Sequence, residues 1–183
     1  MKAQFIEKQF IYDGSQLSPL YSFKSHGIEG ESVVSWIGPC AVANENMKDG
    51  EDLFAGESIE GDLMLHFITE IFEQNLMTMV SLQRLGSAIA KDLLESMSAK
   101  KVLRKGDDLY FEDGKLSISI ASRDAVSSMI HFAINVSNDG TPVKTACLKD
   151  LEIDPLGVGK KFLSVYQEEY TDIVRATKKV FSL

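Results

Sequence analysis

Cysteine is scarce: only Cys40 and Cys147 occur in 183 residues, and they have no CxxC spacing. Nothing here reads as a thiolate metal knuckle, and two reduced thiols in a cytoplasmic protein is the expectation. Long apolar runs are missing as well. None approaches the ~18 residues of a membrane span, and the opening MKAQFIEKQF has no apolar signal core, so no membrane partner is expected. Positive charge is in short supply. Nineteen Lys and Arg stand against 27 Asp and Glu, a net charge of −8 with the cations scattered. That balance argues against nucleic acid as a partner. It leaves room for one small anionic ligand held by a few focused cations.

What is present is a globular composition, 44% hydrophobic and 25% charged. The length suits a single domain spanning 1–183 with a real core. FIEKQFIYDGSQL alternates and then meets Asp13-Gly14, which predicts a strand or hairpin. ESVVSWIGPCAV is β-rich and should stop or bend at Gly38-Pro39. The polar stretch 43–62 reads as a long loop. DLMLHFITEIF fits a helix or a strand equally well, because a short apolar run has no decisive period.

VSLQRLGSAIAKDLLESM sets Leu82, Leu85, Ile89, Leu93 and Met97 at helical spacing, with Lys91 and Glu95 opposite. KKVLRKG returns to strand, and DDLYFEDGKLSISIAS predicts a hairpin around Glu112-Asp113-Gly114. SSMIHFAINVS is a further strand, ending at the turn signal Asn138-Asp139-Gly140. Pro155 and Gly157 mark a linker before an amphipathic helix through Phe162, Val165, Tyr166, Ile173 and Val180. The order predicts an α+β fold, a mixed, mostly antiparallel sheet flanked by helices.

The stretch LQRLGSAIAKDLLESMSAKKVLRKGDDLYFEDGKLSISIA, followed by MIHFAINV, resembles the catalytic core of the biotin and lipoate protein ligases. Those families carry a Lys-Trp-Pro-Asn-Asp type motif, a hairpin with Lys-Leu-Ala-Gly, and a strand reading Gly-Ile-Asn. Arg104 falls at the first Lys, Asp107 at the Asn and Asp108 at the Asp. Lys115 falls at the hairpin lysine, and Ala133-Ile134-Asn135 at Gly-Ile-Asn. The whole chain, through YDGSQLSPL, GPC, MLHF, QR and GDDLY, is also similar to an uncharacterised prokaryotic family, domain-of-unknown-function family 366.

The resemblance implies that Lys115 handles an acyl carboxylate or its phosphate ester, as a fixed cation stabilising the charge that develops on transfer. Its bland alternative is an exposed lysine after a turn. Asp107 and Asp108 could orient an amine or hold a metal near phosphates, or simply bond the backbone of a strand-entry turn. Arg104 could pair with them or meet an anionic ligand, and Arg84, beside Gln83 on the long helix, could reach a ligand. Asn135 binds ligand or ties two strands.

Cys40 is the candidate nucleophile of an ATP-free acyl transfer, as in octanoyltransferases related to the lipoate ligases. The alternative is a small buried hydrophobe. His66, Glu70 and His131 invite a metal reading that local spacing does not complete, and no metal is assigned.

Several family features are replaced. There is no Gly-Arg-Gly run, Lys105-Gly106 stands for Trp-Pro, and Ile118 stands for the hairpin glycine. The long loop is acidic and would repel phosphates. The cofactor is therefore unassigned, with ATP implied only by the resemblance. Two functions follow: an acyl ligase or acyltransferase acting on a small carboxylic acid or its activated ester, or a non-catalytic binding module that lost the nucleotide loop. A homodimer is expected by analogy with ligases of this fold.

Overall fold

A computed structural model describes residues 1–56, 59–138 and 144–181, with the side chain of Asp52 left aside. Its centre is a five-stranded sheet ordered β1-β2-β3-β8-β7, built from β1 (Lys2–Phe5), β2 (Ser32–Val42), β3 (Ile59–Phe72), β7 (Ser117–Arg123) and β8 (Ser127–Ser137). β1 runs parallel to β2 and every other pairing in this sheet is antiparallel. A second ribbon joins β4 (Leu103–Lys105), β5 (Asp108–Phe111) and β6 (Gly114–Lys115). The helices are α1 (Tyr21–His26), α2 (Gly50–Ala55), α3 (Leu76–Ser98) and α4 (Pro155–Ala176). The mixed α+β architecture is the one expected.

The ambiguous run at 63–72 is strand. β3 is the middle strand of the sheet, and from Met64 to Ile71 every side chain is buried, so both faces are covered. A strand buried on both sides needs no polar alternation, which is why its sequence could not separate it from a helix. β2 does not stop at Gly38-Pro39. It shifts register between Gly38 and Cys40 and continues to Val42. Tyr12 docks at that irregularity, donating its N–H to the Pro39 carbonyl (2.8 Å) and accepting from the Ala41 N–H (2.8 Å). The N-terminal segment is thus no hairpin: β1 pairs in parallel, and Tyr12 adds one isolated bridge.

Three other expectations change. The stretch read as a long loop holds a single turn of 3-10 helix (Asn44–Asn46), α2, and the first residues of β3. Pro155 is not linker but the first turn of α4, where its missing N–H costs nothing. Asp154 caps that turn, accepting from the Gly157 N–H at 2.7 Å. α4 ends at Ala176, so Val180 lies past it and is exposed. The Glu112-Asp113-Gly114 turn is present, with Glu112 in the left-handed region at φ 52°. Asp139 and Gly140, read as a turn, lie outside the described residues.

The two faces of the sheet differ. One packs Leu65, Phe67, Phe132 and Ile134 against Phe162 and Tyr166 of α4 and Ala90 and Leu94 of α3. The buried stripe of α3 runs through Met79, Leu82, Gln83, Gly86, Ser87, Ala90 and Leu94, rotated from the predicted Leu-rich stripe, and Met97 is half exposed. Small residues let the helix approach closely: a Cβ on Gly86 would touch the Tyr166 ring at 3.4 Å. The other face carries Val34, Trp36, Met64, Ile68, Met129 and Ala133 beneath a strap that includes Tyr12, Leu17 and Tyr21. Phe10 stacks on Trp36 at 4.5 Å and its carbonyl accepts the indole N–H at 3.0 Å. This strap leaves one end of the face open.

Candidate functional site

The open end is a cavity of about 550 Å³, within the usual range of small-molecule sites. Its floor comes from alternate residues of neighbouring strands. Ile118 pairs with Ala133 and Ile120 with His131, so their side chains share one face with Asn135. Met64 and Tyr12 close one wall, and Asp49, Glu51 and Glu60 lie along the rim.

Lys115 and Asp108 stand together on the opposite wall. The strand pairing of β5 with β6 brings Lys115 across from Tyr110, two residues along from Asp108. The Lys115 Nζ lies 3.1 Å from Asp108 Oδ2, and both side chains are partly exposed toward the cavity. This is a cation anchored by one carboxylate and still open to a second anion. A Cβ on Gly114 would meet the backbone of Thr145 and Ala146 at 2.7 Å. That close approach lets the Lys115 carbonyl accept the Ala146 N–H at 3.0 Å and locks its backbone.

Asp107 also lines the cavity, yet its carboxylate is committed. Arg84 Nη1 reaches Oδ1 at 2.9 Å and Gln83 Nε2 donates to Oδ2 at 2.8 Å. Gln83 also donates to Ser119 Oγ, and Ser87 donates to the Asp107 carbonyl, so α3 fixes the turn that presents Asp108. Arg84 thus serves the site from outside the lining. Arg104 is exposed and donates to the Gly106 carbonyl, away from the cavity.

Asn135 uses both amide hydrogens, on the carbonyls of Lys115 (3.1 Å) and Ala146 (3.0 Å), while it lines the cavity. It ties β8 to the Lys115 strand. The structure does not bring Cys40 to this group. Cys40 is buried in the strap-side core, outside the cavity lining, and burial pushes its thiol up to about 12. A thiol so desolvated is protonated at neutral pH and a poor nucleophile.

Sequence reasoning missed Tyr12, Met64, Ile120 and the rim carboxylates. It weighed His131 only as a metal ligand. His66 Nε2 bonds the Gly38 carbonyl at 3.1 Å, and His66 Nδ1 meets His131 Nε2 at 3.1 Å. Tyr12 stacks on the His131 ring at 3.7 Å. Glu70 is engaged elsewhere, accepting from the Leu20 N–H and the Ser127 hydroxyl, both at 2.6 Å. No group of three or more metal-ligating side chains forms among the described residues. The alternation of Ile118 and Ile120 was the available signal for the floor. Tyr12 had none, because only the fold carries it across the sheet.

Residues 1–181 match the family described as a domain of unknown function, DUF366. The chain belongs to this family. A solved structure of a protein of unknown function from Pyrococcus horikoshi has the same architecture, at a TM-score of 0.96 and 35% identity over 100% of this chain and 98% of that one. The DUF366 fold is also that of the biotin and lipoate ligases. A biotin protein ligase from Aquifex aeolicus, in complex with biotin and ATP, aligns at a TM-score of 0.59 and 17% identity, covering 91% of this chain and 69% of that chain. The lipoate-protein-ligase-like protein Ta0514 from T. acidophilum, with bound lipoic acid, aligns at 0.58 and 11% identity, over 92% and 86%. At such identities the likeness concerns the fold. Among the described residues no helix is long and apolar enough to cross a membrane.

Proposed function

We propose that this cavity binds a small carboxylic acid or its activated ester, with Lys115 as the cation that meets the reacting carboxyl, and that the protein is an acyl ligase or acyltransferase. The observation that carries this reading is the convergence of Lys115 and Asp108 on one ligand-sized cavity. It is supported by a fold shared with proteins solved with biotin or lipoic acid bound. An ammonium beside the carboxyl oxygens stabilises the negative charge that builds as the acyl carbon is attacked. Asp108 pairs with that ammonium at 3.1 Å and leaves it open to the cavity. Asp107, Gln83 and Arg84 hold Asp108 in turn.

The acyl group passes directly between ligand and acceptor in this reading, since Cys40 is sealed away from the cavity. A second reading, a binding module that has lost its nucleotide loop, is favoured by the rim. Asp49, Glu51 and Glu60 lie where a polyphosphate would meet like charge.

Thermal-shift titration with ATP, biotin, lipoate, octanoate and the acyl-adenylates tests both. A ligand at a hundredfold excess over its Kd stabilises by about 2.7 kcal/mol. The acyl-transfer reading expects an adenylate to stabilise the wild type and Lys115→Ala much less. Binding of the free acid without acyl release, followed by mass spectrometry, would leave the binding module alone. No shift with any acid or adenylate would remove both.

A further inference from the structure

The protons on the buried histidine pair can be traced from one end. A backbone carbonyl only accepts, so the Nε2 facing the Gly38 carbonyl carries the hydrogen of His66. Burial holds His66 down to about 4 and His131 well below its ordinary value, so both rings are neutral near pH 7. Nδ1 of His66 is then bare and accepts from Nε2–H of His131 across 3.1 Å. Each neutral ring has one hydrogen, so Nδ1 of His131 is a bare acceptor. His131 is 2% exposed, lines the cavity, and is stacked by Tyr12 so that it cannot turn over freely. Its Nδ1 has no donor among the described residues and is not one of the polar atoms fully enclosed without a partner.

The charge around it has the same preference. Asp49, Glu51, Glu60, Asp107 and Asp108 line the cavity against Lys48 and Lys115, and Arg84 outside it offsets Asp107. A ligand that brought only a carboxylate would enter a site of net negative charge. An aliphatic tail would leave the imidazole acceptor dry and unpaired, a loss that weakens binding.

We infer that the acid bound here carries a protonated amine at its far end, its ammonium donating to Nδ1 of His131 in a cavity of net negative charge while its carboxylate meets Lys115. The inference rests on the carboxylate reading of Lys115 and adds the class of acid: an amino acid with the amine remote from the carboxyl, rather than a fatty acid. A charge-assisted hydrogen bond of this kind is stronger than a neutral one.

Calorimetric titration of the full chain at pH 7 with hexanoate, 6-aminohexanoate, hexylamine and biotin separates the two layers. Binding of 6-aminohexanoate at least tenfold tighter than hexanoate supports the inference, as does loss of that preference in His131→Phe with hexanoate binding retained. If His131→Phe does not fold, Glu51→Gln on the exposed rim helix should shrink the same preference severalfold. In nitrogen-correlated NMR the unprotonated Nδ1 signal of His131 should shift on addition of 6-aminohexanoate and stay still with hexanoate. Equal binding of the two acids overturns the amine while leaving the Lys115 reading standing. Tighter binding of biotin than of 6-aminohexanoate overturns the charge of the distal group. Binding of hexylamine with no gain from the carboxylate overturns the Lys115 reading and this inference with it.

Discussion

Lys115 and Asp108 sit 3.1 Å apart, but both side chains keep contact with solvent, and such a pair adds only about 0–1 kcal/mol to stability. Their value is chemical. Asp108→Asn should therefore leave the unfolding midpoint within about 1 kcal/mol of wild type. It should tighten binding of a simple carboxylate, because it removes a like charge a few ångströms from the ligand. Two unit charges at that range in water are worth about 1 kcal/mol, roughly fivefold in Kd. Weaker carboxylate binding would show that Asp108 acts chiefly by aiming Lys115. Asp107→Asn should instead loosen the turn, since Arg84 and Gln83 each use one carboxylate oxygen and the amide leaves a single, uncharged acceptor for both. These roles could not be separated in the sequence: Asp107 and Asp108 are adjacent and identical, and only their partners distinguish them.

Among the elements, β2 and the strap are the pair most sensitive to a single atom. Gly38 has no room for a side chain, since a Cβ there would lie 2.0 Å from the Phe10 carbonyl. That carbonyl accepts the Trp36 indole, and the Gly38 carbonyl accepts from His66. Gly38→Ala should cost about 1–3 kcal/mol through overpacking, read from urea unfolding, and release the strap that carries Tyr12 over the cavity. Limited proteolysis should then cut within residues 6–20 faster than in wild type. The sequence marked this position as a stop or a bend. It could not show that the irregularity receives Tyr12, because that contact joins segments 26 or more residues apart. α3 and α4 teach the same lesson. Their helical period was legible, whereas the buried face of α3 was set by the small residues Gly86, Ser87 and Ala90 facing its neighbours.

For the whole molecule, the neutral histidine pair makes stability depend on pH. An unfolded imidazole titrates near 6.5, while the folded His66 titrates near 4 and His131 well below 6.5. Below pH 6.5 the unfolded chain therefore binds more protons than the folded one, and stability falls as pH falls toward 4. A histidine that is protonated when unfolded and neutral when folded contributes a slope of at most about 1.4 kcal/mol per pH unit. Urea midpoints measured from pH 8 to pH 4.5 should be flat above 7 and fall below 6.5. A profile flat to pH 5 would mean that the buried pair takes up a proton without loss.

The sequence alone carried the composition of a folded domain, the order of strands and helices, the hairpin that presents Lys115 and the likeness to the ligase core. These are local patterns or motifs in chain order, so they survive without coordinates. The tertiary structure decided the rest. It placed Cys40 in the core rather than the cavity, spent Asp107 on Arg84 and Gln83, and left Lys115 facing open space beside Asp108. It also linked His66 and His131, 65 residues apart, through register between β3 and β8. Burial and partnership are properties of neighbours in space, and a chain that folds into a sheet of order β1-β2-β3-β8-β7 draws those neighbours from distant parts of its sequence.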